Sequence, residues 1–119
     1  MPREPIKPVV WLGDSLRVLK SFPAGAQEEI GYALYLAQSG EKHVSARPLK
    51  GFGSGVLEVI ADHRGDTFRA VYTVRLAGRV YVLHSFQKKS KRGIATPQTE
   101  IDIIKRRLKL AEAIREGQE

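Results

Sequence analysis

Five side chains have the types and spacing to handle a phosphate diester. Arg69 lies within F-R-A-V-Y-T-V-R, and His84 lies near the end of R-V-Y-V-L-H-S-F. Lys88 and Lys89 follow the second segment directly, and Glu58 lies upstream in V-L-E-V-I. Cleaving a ribonucleotide strand requires a 2′-hydroxyl to attack its neighbouring phosphate in line, so negative charge builds on the phosphorane. Cations fixed where that charge grows accelerate the step, and losing one well-placed donor costs about 10²–10³ in rate. Arg69 would grip phosphate oxygens in pairs, while Lys88 and Lys89 would act as point charges. His84, with an ordinary pKa of about 6.5, and Glu58 are the candidate general bases. Each also has a structural reading. Arg69 fits a strand-surface ion pair, Glu58 a pairing with a nearby cation, and His84 a satisfied, semi-buried ring.

The charge balance places these groups in the basic half of the chain. Residues 1–62 hold seven Lys or Arg and seven acids, whereas residues 63–119 hold 13 basic residues against 6 acids, the whole net charge of +7. A field concentrated in this way suits a polyanionic partner. Arg64, Arg75, Lys91, Arg92 and Lys50 are the further candidates for contacting it as RNA-binding residues, with a solvated charge run as the alternative.

Short elements must position them. Val9 to Leu12 reads as a first strand. Asp14 or Ser15 caps a short helix from Leu16 to Phe22. A second helix from Gln27 to about Gln38 carries Ala26, Ile30, Ala33, Leu34 and Ala37 as one apolar stripe, and Ser39-Gly40 ends it. Residues 41–55, with Gly51, Gly53 and Gly55, read as a flexible connection. Strands follow at Val56 to Ala61, Thr67 to Leu76 and Arg79 to Phe86, joined by turns at 63–66 and at Ala77-Gly78. On the middle strand Phe68, Ala70, Tyr72 and Val74 form the core face, while Arg69, Val71, Thr73 and Arg75 face a ligand. On the last strand His84 shares a face with Val82 and Phe86. Thr96-Pro97 and Glu100 have the form of a helix start. Ile101, Ile104, Leu108 and Ala111 mark an amphipathic helix to about Ile114, with Lys105, Arg106, Arg107 and Lys109 opposite. The expected architecture is α+β in the order β-α-α-β-β-β-α: a twisted, mostly antiparallel sheet with helices on one side.

At 119 residues and 42% hydrophobic content the chain is expected to form one domain, 1–119, with residues 1–8 loosely held by their three prolines. There is no cysteine, which excludes disulfides and thiolate catalysis. The three histidines are isolated in sequence, so neither a metal site nor another cofactor is expected. No apolar run reaches the roughly 18–20 residues that span a bilayer. The N-terminus has no secretory pattern, so a cytoplasmic protein without membrane contact is expected.

Four segments in order carry a resemblance: L-K-G-F-G-S-G-V-L-E-V, F-R-A-V-Y-T-V, V-Y-V-L-H-S-F-Q-K-K-S, and T-P-x-x-E-I. Together they resemble the HigB-type, phage-derived branch of the RelE/ParE superfamily of bacterial toxins, over roughly residues 9–112. The resemblance implies a RelE-like sheet with two N-terminal helices and a metal-independent endoribonuclease that cleaves mRNA on the ribosome and so inhibits translation. It also implies neutralisation by a helix-turn-helix, HigA-like antitoxin, with operator DNA bound only through that complex. It carries over Arg69 at the family's strand arginine and Lys88 and Lys89 at its basic pair. Relatives often place a basic residue where this chain has Ile60, and some use a late tyrosine as base, of which none lies beyond Tyr81 here. Two other functions fit the same scaffold: a ParE-like inhibitor of DNA gyrase, and a nucleic-acid-binding module without catalysis.

Overall fold

A computed structural model of the chain describes residues 6–88 and 96–117. The elements are β1 (Val9–Trp11), α1 (Ser15–Lys20), α2 (Ala24–Gln38), β2 (Ala46–Pro48), β3 (Val56–His63), β4 (Asp66–Thr73), β5 (Val80–Lys88) and α3 (Gln98–Gly117). The expected order stands, with one strand added. Ala46–Pro48, within the stretch read as a flexible connection, pairs antiparallel with β3. Three residues ending in a proline give no alternation to read, and proline is tolerated at a sheet edge because no ladder N–H is needed there.

The sheet runs β1-β5-β4-β3-β2. β3, β4 and β5 form an antiparallel meander, while β1 joins β5 in parallel, with Trp11 opposite Val82. The β3–β4 connection is a two-residue loop in which Arg64 and Gly65 both have positive φ, +50° and +86°. That is the mirror-image turn whose twist matches a tight hairpin.

Helices cover both faces of the sheet, not one. α1 and α2 bury Leu19, Phe22, Ile30 and Leu34 against Val59, Phe68, Tyr72 and Val82. α3 buries Ile104, Leu108 and Ala111 against Val71, Tyr81, Leu83 and Phe86 on the opposite face. The physical cause is that β4 and β5 are apolar on both sides, so each face needs a cover. Truncating a fully buried side chain such as Ile30 or Ile104 to alanine would cost about 2–5 kcal/mol. Burial also pushes the Tyr72 hydroxyl up to about 12.

One irregularity sets the site. Opposite β4, Tyr72 pairs with Val82 but Val71 pairs with His84, so Leu83 is an extra residue on β5. Such a bulge shifts the alternation by one. His84 therefore stands with Phe86 on the α3 face and stacks on it at 5.2 Å, while Val82 points to the α2 side. The expectation that His84 shares a face with Val82 fails for this reason. Among the described residues, no helix is long and apolar enough to cross a membrane.

Candidate functional site

On the α3 face, the antiparallel register places Glu58 opposite Val71 and Ile60 opposite Arg69. Glu58 and Arg69 are thus diagonal neighbours, within reach for long side chains. Arg69 Nη1 donates to Glu58 Oε1 at 3.3 Å, and the Thr96 hydroxyl donates to Glu58 Oε2 at 3.1 Å. Arg69 is only 4% exposed, and its Nε has no hydrogen-bond partner. A buried guanidinium with a donor left over is poorly compensated by one carboxylate.

Above this pair lies a groove of about 590 Å³, floored by Glu58, Ile60 and Arg69. β2 supplies Arg47 to its lining and the β2–β3 connection supplies Lys50 and Phe52, while Thr96, Gln98, Ile101 and Lys105 come from the start of α3 and the residues just before it. Four cations (Arg47, Lys50, Arg69 and Lys105) thus face one carboxylate. Ile60 lies in the groove itself. Lys88 ends β5 opposite Thr67, one pair beyond Phe68–Gln87. Burial, and then the positive charge of Arg69, hold its amine below the usual lysine range, with Glu58 opposing them.

The predicted residues do not all converge. Arg69, Glu58 and Lys50 share the groove, and Lys88 lies close enough to the first two to feel their charges. Arg64 is exposed at the β3–β4 hairpin tip. Arg75 lies further along the sheet, where Nη1 donates to the Phe52 carbonyl at 2.8 Å and Nη2 pairs with Glu112 at 3.5 Å. Lys89, Lys91 and Arg92 lie outside the described residues.

His84 is held away from the groove. Its Nε2 lies 2.9 Å from Glu100 Oε1, and Arg107 Nη1 lies 3.2 Å from its Nδ1. Arginine can only donate, so Nδ1 accepts and the ring carries its proton on Nε2, directed at Glu100. Both ring nitrogens are thus engaged, and His84 is 5% exposed. These contacts tie β5 to α3. Arg107, on the basic side of the amphipathic helix, turns inward to the Leu83 carbonyl at 3.0 Å and to Asp14 at 2.9 Å. The expected helix starts at Gln98 with Glu100 in its first turn, and the side chains there also reach the sheet: Glu100 contacts His84, and Thr96 donates to Glu58.

Sequence reasoning missed Arg47 and the groove role of Thr96. Arg47 lies opposite Glu58 on a three-residue strand too short to leave a pattern. Among the described residues, no group of three or more His, Asp or Glu is placed to hold a metal ion.

A family model described as Phage derived protein Gp49-like (DUF891) matches residues 17–109, most of the chain. The chain belongs to this Gp49-like family. It is a RelE/HigB-type toxin family, associated with toxin–antitoxin systems and therefore with an antitoxin partner. The α+β architecture of this Gp49-like protein, with its five-stranded mixed sheet and three helices, is consistent with a RelE-like fold. No curated protein and no solved structure gave a significant match to the chain.

Proposed function

We propose that this Gp49-like protein is the toxin of a type II toxin–antitoxin pair, a HigB-type endoribonuclease that cleaves mRNA on the ribosome and stops translation. The observation that carries the reading is Arg69. It is a buried arginine with an unpartnered Nε, set beside Glu58 on the floor of a groove ringed by Arg47, Lys50 and Lys105.

In the proposed reaction a substrate phosphate enters the groove and takes over the Arg69 guanidinium. Glu58, released from Arg69 and still held by Thr96, accepts the proton of the attacking 2′-hydroxyl. The 2′-oxygen bonds to phosphorus, and Arg69 and Lys88 balance the charge that accumulates on the phosphorane oxygens. The bond to the 5′-oxygen then breaks. The Lys88 ammonium, which gives up its proton more readily than an ordinary lysine, protonates that leaving oxygen. The products are a 2′,3′-cyclic phosphate and a 5′-hydroxyl. His84 and Arg107 are positioning residues that hold α3, and with it one side of the groove, against β5. A HigA-like helix-turn-helix antitoxin would neutralise the toxin, and operator DNA would be bound only through that complex.

The test is cleavage of a reporter mRNA in a reconstituted translation reaction, mapped by primer extension. Arg69→Lys and Lys88→Ala, each verified as folded, are expected to lower the cleavage rate by about 10²–10³. Undiminished cleavage by both variants would overturn these roles. DNA damage preceding any fall in protein synthesis would favour a gyrase inhibitor instead. Intact mRNA combined with salt-sensitive RNA binding would favour a module without catalysis.

A further inference from the structure

A second hollow, of about 350 Å³, opens beside the groove. Arg75, Leu108, Lys109 and Glu112 belong to its lining, and it shares Gly51, Phe52 and Lys105 with the groove. The two hollows therefore adjoin between the β2–β3 connection and α3, with Phe52 and Lys105 lining both. Phe52 is half-buried, packed against the α3-side core. Its carbonyl is anchored by Arg75 at 2.8 Å. The backbone bends tightly at this point: Gly51, Gly53 and Gly55 all have positive φ, +91°, +73° and +84°. A Cβ on Gly55 would lie 2.6 Å from Arg75 Cβ, so the glycine lets the loop close down on the segment that follows β4 and carries Arg75.

We infer that the second hollow holds the nucleotide adjoining the scissile phosphate, with its base stacked on Phe52 and its backbone phosphate between Lys105 and Lys109. The inference rests on the ribonuclease reading of the groove. Its occupant is single-stranded RNA because the hollow continues the phosphate-binding groove, and because an aromatic wall beside a line of cations is how a single strand is held without base readout. Three cations face one carboxylate in it, and that carboxylate, Glu112, is already paired with Arg75. Stacking on one aromatic ring tolerates any base, so the hollow sets the length of RNA required rather than its sequence.

The test measures binding of synthetic RNA oligonucleotides of increasing length to the full chain by fluorescence anisotropy, with 2′-deoxy substitution at the scissile position to block cleavage. Wild type is expected to gain about tenfold in affinity when the oligonucleotide grows long enough to enter the second hollow. Phe52→Leu, which keeps the apolar packing but removes the flat ring, is expected to lose that gain. Lys109→Ala is expected to lower the salt dependence by about one phosphate for the longer oligonucleotide only. Length-dependent binding untouched by both variants would overturn the inference, as would poly-glutamate displacing the longer RNA with a potency that falls in both variants. Length-independent binding by wild type would overturn it and leave the groove reading intact. No RNA binding at any length would overturn both.

Discussion

Arg69 and Glu58 meet across two strands without facing each other: the register pairs Arg69 with Ile60 and Glu58 with Val71, and the contact is diagonal at 3.3 Å. Both side chains are nearly out of solvent, so each depends on the other, and Glu58 also on Thr96. Removing only the cation leaves a carboxylate without its charge partner. Arg69→Ala is therefore expected to destabilise the fold by about 3–5 kcal/mol in urea denaturation. The double replacement Arg69→Met with Glu58→Gln is expected to recover most of that loss. Equal stability of the single and double variants would show that the pair is not coupled.

A general base contributes about 10²–10⁴-fold to a rate. His84→Gln is expected to lose far less than this in mRNA cleavage, because its ring nitrogens are committed to Glu100 and Arg107. The cost falls on stability instead, about 1–3 kcal/mol by thermal denaturation, since two partners are left in part unsatisfied. Loss of the acidic limb of the pH–rate profile in this variant would return His84 to the chemistry.

The hydrogen bond from Arg107 holds the Asp14 carboxyl below the ordinary 3.8. Partial burial opposes that shift, and the charge of Arg107 adds to it. The folded state therefore binds this proton more weakly than the unfolded chain does. The stabilisation is complete above the ordinary value and disappears as pH falls through the lowered one. Asp14→Asn is expected to cost up to about 1 kcal/mol at neutral pH, as befits a half-exposed pair. The difference from wild type should vanish in the most acidic part of the titration. A cost that persists there would mean that Asp14 acts through packing, not charge.

Gly55 and Gly78 both adopt left-handed φ, +84° and +90°, but only Gly55 has a neighbour where a Cβ would go. Gly78→Ala is expected to cost about 1 kcal/mol from backbone strain alone. Gly55→Ala is expected to cost clearly more, because the methyl group would collide with Arg75 next to its backbone. Equal melting temperatures for the two variants would count against this account.

Local periodicity made much of the molecule readable in advance. Alternation over residues 68–75 separated Phe68, Ala70 and Tyr72 from Arg69, Val71 and Thr73, and the folded sheet keeps that division. The stripes Ile30–Ala33–Leu34–Ala37 and Ile104–Leu108–Ala111 marked two helices and their buried sides. Those signals repeat within a few residues, so the chain carries them without knowing its own tertiary fold.

Tertiary structure decided what depends on distant register. The extra residue at Leu83 turns His84 away from Val82, and nothing local in V-L-H-S marks a bulge. The apolar residues on both faces of β4 and β5 required helices on both sides, yet only packing sends α3 to the side opposite α2. The groove joins Arg47, Glu58, Arg69 and Lys105 from four separate elements, and Thr96 reaches Glu58 from 38 residues away. Sequence determined which residues carry charge and which faces are apolar, because those properties belong to each residue and its near neighbours. Strand pairing determined which charges meet, because a shift of one residue would turn each of them to the other face.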